Sequence, residues 1–199
     1  MALDVGDVDP DPLVQFAAWL AVAREGAVGE PDAMVLATVD DEGWPSSRAV
    51  LLRGFDARGF VFFTNYTSAK ARELDGAGRA SLTFHWHAPH RQVRVVGPAE
   101  RISETESDDY FATRPRGSQL AAWASDQSSV VSSRAELDTR YADLESRYAG
   151  RDVPRPPHWG GYRVQPLVVE LWQAGENRMH DRLRYARDGA DWRIERLAP

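Results

Sequence analysis

The chain of 199 residues contains no cysteine. Disulfides, thiolate zinc sites, iron–sulfur clusters and cysteine nucleophiles are excluded together, so any redox chemistry has to come from an organic cofactor or a metal held without thiolates. Lysine is nearly absent too: of 24 basic residues, Lys70 alone is lysine and the rest are arginine. A compact ammonium has uses that a guanidinium does not, which marks Lys70 as a candidate site residue beside the plainer reading of a survivor of coding bias. No apolar run approaches the ~20 residues that cross a bilayer, and the opening "MALDVGDVDPDP" is acidic where a signal peptide is basic and then apolar. A cytoplasmic protein with no membrane partner is expected. The formal charge of −6 leaves no basic stripe for nucleic acid. The glycine-rich loops G-x-G-x-x-G and G-x-x-x-x-G-K-[ST] do not occur, nor do H-E-x-x-H and G-x-S-x-G.

What is there suits one domain with a continuous core, residues 11–199, behind a flexible N-terminus of residues 1–10. "DPLVQFAAWLAVAREGAVG" predicts a helix: Asp11 can cap, Pro12 fits the first turn, Leu13, Phe16, Ala17 and Leu20 repeat at helical spacing, and Gly26 follows the end. The period then shortens. β-branched and aromatic runs in "AMVLATVDDEGWPSSRAVLLRGFDARGFVFFTN" are separated by "DDEG" and "DARG", too short for crossover helices, so these strands are antiparallel. A helix begins at Ser68 and closes on glycine, and "RASLTFHW" and "RQVRVVGPAERI" form another strand pair. Three helices follow: one capped by Ser103 with Glu106 in the capping-box place, one in "GSQLAAWAS", and an amphipathic one over residues 133–148. After the proline-rich "GRDVPRPPHWGG", "YRVQPLVVELWQ" predicts one strand and "RLRYARDGADWRIERLAP" a hairpin with "DGAD" at its tip. Strands, then helices, then strands predict a mainly β fold, an antiparallel barrel with helices packed around it.

Positive charge gathers beside small hydroxyls in "SSRAVLLR", "TNYTSAK", "YFATRPRGS" and "ENRMHDR". Phosphate monoesters suit this mixture, because guanidinium forks bind two oxygens while hydroxyls and helix-terminal amides take the remainder. Tyr110 and Arg114 are four apart on one helix face, and Ser118 follows a proline–arginine–glycine corner, a triplet able to grip one phosphate. A surface ion pair for Arg114 and a core place for Tyr110 are the plainer readings. Trp172 on "VELWQ" is a packing residue by default, or a surface on which a flat cofactor stacks. His85, His87 and His90 in "HWHAPH" flank a turn; two on one strand face still lack a third ligand, so no metal is expected. The residues by themselves stop at several phosphate-like sites without a reaction.

In order along the chain, "AMVLATVDDEGWPSSRAVLLRGFD", "FFTN", "RQVRVVGPAERIS", "YFATRPRGSQLAAWASDQSS", "PRPPHWGGYRV", "ELWQ", "HDRLRY" and the closing stretch through "RLAP" resemble the pyridoxamine 5′-phosphate oxidase family, over about residues 11–199. The resemblance implies an FMN-binding split antiparallel β-barrel, paired as a homodimer with FMN in the interface. It implies oxidation of pyridoxamine 5′-phosphate or pyridoxine 5′-phosphate to pyridoxal 5′-phosphate, with O2 reduced to H2O2. Carried over by residue, FMN would meet Arg48, Ala49, Val50, Leu51, Phe63, Thr64, Lys70, Gln92, Gln127, Ser128, Trp172 and Arg182, some of them from the partner subunit. Arg53, Tyr110, Arg114 and Ser118 would hold the substrate phosphate. Arg178 and His180, the catalytic pair, would sit over the pyridine ring, the arginine stabilising electron density and the histidine orienting the substrate.

Departures from the family pattern carry expectations of their own. Ala69 stands where a second basic residue usually accompanies Lys70, which predicts weaker FMN retention, by ~1.5–3 kcal/mol, unless a neighbouring arginine substitutes. Arg53 replaces a usual lysine, Phe63 a frequent tyrosine and Asn177 a frequent histidine. The N-terminal extension that lays an arginine and a tyrosine over the substrate in many relatives is missing, which predicts an open site. Two other functions stay in view: a paralogous FMN oxidase acting on a reduced phenazine-type ring, and a non-catalytic binder of FMN or pyridoxal phosphate. Tyr110, Arg114 and Ser118 favour the phosphate-bearing substrate, and Arg178 and His180 favour catalysis.

Overall fold

The structure, a computed structural model, describes residues 3–26 and 29–199. In chain order these form α1 (Pro12–Glu25), β1 (Ala33–Val39), β2 (Pro45–Leu51), β3 (Gly54–Asp56), β4 (Gly59–Asn65), α2 (Ala69–Ala77), β5 (Arg79–Trp86), β6 (Arg91–Arg101), α3 (Glu104–Thr113), α4 (Arg116–Ala124), α5 (Arg134–Arg147), β7 (Trp159–Val164), β8 (Val168–Gln173), β9 (Asp181–Asp188) and β10 (Asp191–Arg196). The caps are the polar residues that the sequence offers. Asp11 accepts from the Leu13 amide at 2.8 Å, Ser103 and Glu106 form a reciprocal box on α3, Ser133 caps α5, and Gly78 ends α2 with φ of 63°.

Strand pairing is antiparallel throughout, in the order β10-β9-β8-β6-β5-β1-β2, with β7 joining β4 to the far end of β6. The long strand β6 is shared: Arg91 to Val96 pair with β8, whereas Ala99 to Arg101 pair with β7. The sheet curls there into a split barrel. "YRVQPLVVELWQ" is accordingly two strands and not the single one expected. Pro166 lacks the ladder N–H, while Gln165 and Leu167 on either side donate to Pro98 and Val96 of β6 at 2.9 Å each. The crossing is tight. A Cβ on Gly97 would lie 1.7 Å from the Gln165 carbonyl oxygen.

Alternating residues of the curled sheet face inward: Met34 and Leu36, Leu82 and Phe84, Val93 and Val95, Val169 and Leu171, Leu183 and Tyr185 are all buried. Helix α1 closes this core with Phe16, which is fully buried edge-on to Phe55 and Phe60, at 5.0 and 4.9 Å between centroids. Residues 3–10, set apart above as a flexible N-terminus, lie beside β9 and β10. Leu3 and Val8 are buried, the Leu3 amide donates to Asp181 at 2.9 Å, and the Tyr185 hydroxyl donates to the Asp9 carbonyl at 2.8 Å. A second apolar cluster, Phe111, Leu120, Ala122, Val153 and Trp159, packs α3 and α4 over β4 and β7. Among the described residues no helix is long and apolar enough to cross a membrane.

Candidate functional site

Between β2, β4 and the α3–α4 pair lies a cavity of about 470 Å³. Four consecutive residues of β2, Arg48, Ala49, Val50 and Leu51, line it, together with Arg53, Phe63, Thr64, Lys70, Tyr110, Arg114 and Gln127. Consecutive strand residues point to opposite faces, so β2 meets the cavity with its backbone edge, and β2 is an edge strand paired to β1 alone. Asn65, Ala121, Ala122, Ser125 and Trp159 complete the wall.

Cations enter the cavity in two groups. In the first, Lys70 is buried in the opening turn of α2, and its Nζ donates to Gln127 Oε1 at 2.6 Å. The Thr64 hydroxyl donates to the same oxygen at 2.9 Å, and the Ala69 amide donates to Ser128 Oγ at 3.2 Å. Burial pulls the Lys70 ammonium below its ordinary value, the Arg48 cation adds to this, and Glu73 opposes it. Arg48 is itself bound to Glu73, at 3.0 Å between Nη2 and Oε2.

The second group centres on Arg114, just past the end of α3. Its guanidinium lies 4.5 Å over the Trp159 ring and 5.6 Å from Phe111, and its Nη1 is buried without a hydrogen-bond partner. Burial pushes Arg114 below its usual value; Tyr110 opposes this and the Arg53 cation reinforces it. Tyr110 stacks on Phe63 at 3.9 Å, and Phe63 stacks on Trp159 at 5.1 Å. Among the described residues Arg53, Lys70 and Arg114 form no ion pair. A buried guanidinium N–H without an acceptor costs about 1–3 kcal/mol, a cost that an anionic ligand removes. Ser118, half-buried in the first turn of α4, does not line the cavity, and its amide donates to the Pro115 carbonyl at 2.8 Å.

The remaining predicted residues form a separate assembly. Gln92, Trp172 and Arg182 stand in one row across β6, β8 and β9. His180 packs on Trp172 at 4.7 Å between ring centroids, and its Nδ1 accepts from the Gly175 amide at 3.2 Å, which leaves Nε2 to carry the proton of the neutral ring. Arg182 donates to buried Glu170 at 2.8 Å. Arg178 is exposed, and both it and Asn177 adopt left-handed backbone, with φ of 64° and 53°. Such conformations cost about 1–3 kcal/mol each and cluster where a loop serves a ligand.

Residues 22–148 match the sequence profile described as pyridoxamine 5′-phosphate oxidase, and residues 159–199 match that of the pyridoxine 5′-phosphate oxidase C-terminal dimerisation region. The chain belongs to the pyridoxamine 5′-phosphate oxidase family. It is 59% identical to a pyridoxine/pyridoxamine 5′-phosphate oxidase of Rubrobacter xylanophilus over 96% of this chain and 88% of that protein. It is 53% identical to one of Burkholderia thailandensis over 100% and 94%. Among solved structures, PhzG from Burkholderia lata 383, in complex with tetrahydrophenazine-1-carboxylic acid, superposes with a TM-score of 0.93 at 36% identity, covering 100% of this chain and 98% of that one. An FMN binding protein related to the family, from Nostoc punctiforme, superposes at 0.75 with 18% identity over 96% and 100%, a likeness of fold.

As a member of the pyridoxamine 5′-phosphate oxidase family, the chain carries its expected site residues in two halves. Eleven of them line the cavity, while Gln92, Trp172, Arg178, His180 and Arg182 sit toward the other end of the strand order and do not. Ser128 touches the first half through α2 without lining it. Trp159, Asn65, Ala121, Ala122 and Ser125 also line the cavity; each lies within a stretch that carries the family resemblance, but none was marked individually as a site residue.

Proposed function

We propose that the protein is an FMN-dependent oxidase that converts pyridoxamine 5′-phosphate or pyridoxine 5′-phosphate to pyridoxal 5′-phosphate with reduction of O2 to H2O2, working as a cytoplasmic homodimer. One observation carries the substrate class: Arg114, with a buried unbonded Nη1, faces a cavity that also receives Arg53 and Tyr110, a donor set for a phosphate monoester. The names of the relatives at 53–59% identity support the same reading.

The donors around Lys70 fit the phosphate of FMN: an ammonium, the Thr64 hydroxyl and the opening turn of a helix converge there. The backbone edge of β2 suits a flat ring. When bound, FMN would supply the two-electron acceptor for oxidation of the vitamer at C4′, with O2 as the terminal oxidant. The chain's own part is to bind and orient. Arg53, Tyr110 and Arg114 fix the substrate phosphate from the cavity wall, which Ser118 does not line. The Arg178 guanidinium stabilises electron density on the pyridine ring, while His180 presents Nε2–H as an orienting donor. A two-fold dimer would bring the Trp172 row and the Arg178 loop of one protomer to the cavity of its partner. The match of residues 159–199 to a dimerisation region supports this.

The test is to supply the purified protein with FMN and offer pyridoxine 5′-phosphate, pyridoxamine 5′-phosphate and unphosphorylated pyridoxine in air, following peroxide and aldehyde. Turnover with the first two and little with the third is expected. The superposition on PhzG favours a second reading, an oxidase of a reduced phenazine-type ring. Peroxide formed only with such a ring would replace the first reading by this one, and a flavin spectrum without turnover on any substrate would favour a carrier.

A further inference from the structure

Behind the cavity wall, one carboxylate organises a set of groups that no assigned role includes. Glu73 lies one turn after Lys70 on α2, and its side chain is only 14% exposed. Its Oε2 accepts from Ser46 at 2.8 Å and from Arg48 Nη2 at 3.0 Å, and also from the Thr38 hydroxyl. The two hydroxyls in turn accept from the same guanidinium, Ser46 from Nη2 at 2.5 Å and Thr38 from Nη1. Each hydroxyl has a single proton. Because Glu73 takes both protons, both oxygens present lone pairs to Arg48, and the guanidinium plane is fixed by β1, β2 and α2 together.

Arg48 also lines the cavity and is close enough to Lys70 to depress its ammonium. Two cations thus share the wall at the opening turn of α2. We propose that Glu73 is a positioning residue for the phosphate end of the cofactor site: it holds Arg48 so that the remaining guanidinium donors face the phosphate of FMN beside Lys70. The assignment rests on the FMN reading above. Glu73 does not compete with that phosphate, since its charge is already met at 3.0 Å by Arg48 and by two hydroxyls. Without Glu73, the Thr38 and Ser46 protons turn toward the guanidinium, which regains rotamer freedom.

Flavin fluorescence titrations with FMN and with riboflavin, which lacks the phosphate, separate this role from a general one. The chains compared are wild type, Glu73→Gln, Glu73→Ala, Arg48→Ala and the Glu73→Ala/Arg48→Ala double variant, each with its thermal midpoint. Glu73→Ala is expected to weaken FMN roughly tenfold while leaving riboflavin within about twofold, with Glu73→Gln intermediate because it keeps an acceptor. The double variant is expected to match Arg48→Ala, as for two residues acting through one contact. Equal weakening of both flavins, tighter FMN binding, or additive losses would each overturn the assignment while leaving the FMN reading intact. A wild-type chain that shows no preference for FMN over riboflavin would overturn the cofactor reading, and Glu73's role with it. Should Glu73→Ala fail to fold, the same ratio read on Glu73→Gln decides.

Discussion

Arg114 keeps a guanidinium nitrogen buried and unbonded beside Trp159, at a cost to the folded chain of about 1–3 kcal/mol. A residue retained at such a cost is expected to matter for binding. Arg114→Ala should raise the apparent KM for pyridoxine 5′-phosphate roughly 10- to 100-fold with FMN affinity nearly unchanged, as read by steady-state kinetics beside flavin titration. Equal losses in both would contradict the division of the cavity into two cationic groups, each binding its own phosphate. Glu73 gives a pH prediction at the same scale. Burial acts to raise its carboxyl, but hydrogen bonds from Thr38, Ser46 and Arg48 outweigh burial and hold it below the ordinary 4.5. A carboxyl depressed in the folded state contributes stability above its unfolded value and loses that contribution as pH falls through the folded value. The thermal midpoint of Glu73→Gln should therefore lie below wild type at neutral pH, and the gap should narrow as pH falls below about 4.5.

Elements were legible where the signal is local. Asp11, Ser68, Ser103 and Ser133 cap the helices that their sequence positions announce, because a cap is decided within one turn of chain. The break between β7 and β8 was missed, although its local signal, Pro166, which cannot donate to a central ladder, was legible. Its partner was not. Gly97 is far away in sequence, and only the closeness of the Gln165 carbonyl shows why glycine is needed there. Gly97→Ala should lower the free energy of unfolding by about 2–3 kcal/mol in urea denaturation, with the residual folded protein still able to bind FMN. At the core, Phe16→Ala should cost about 3–5 kcal/mol by the same measurement, since α1 closes the sheet through that fully buried ring.

For the whole molecule, the two halves of the site make a prediction that no single-chain property imitates. If the cavity of one protomer works with the Arg178 loop of its partner, Arg114→Ala and Arg178→Ala chains should each be nearly inactive when assayed at substrate below the wild-type KM. Mixed after dissociation and reassociation, they should recover about one quarter of wild-type activity, because half of the dimers are mixed and each of these has one intact site. No recovery would place both residues in one protomer's site. The cavity half could be anticipated from "SSRAVLLR", "TNYTSAK" and "YFATRPRGS", whose cations sit next to the hydroxyls they work with. The family pattern named Gln92, Trp172 and Arg182 separately, but their alignment in one row depends on the register of β6, β8 and β9.

The order of strands and helices, the caps, the scarcity of lysine and the absence of thiol chemistry follow from the amino-acid sequence alone, since each rests on neighbours along the chain or on composition. Which arginines are satisfied and which are not was decided only by tertiary structure. Arg48 and Arg182 look no different in sequence from Arg53 and Arg114, yet the first two meet Glu73 and Glu170 while the others meet no carboxylate among the described residues. The physical reason is range: a cation's free energy depends on which charges and how much water lie within a few ångströms, and those neighbours come from strands and helices distant in sequence.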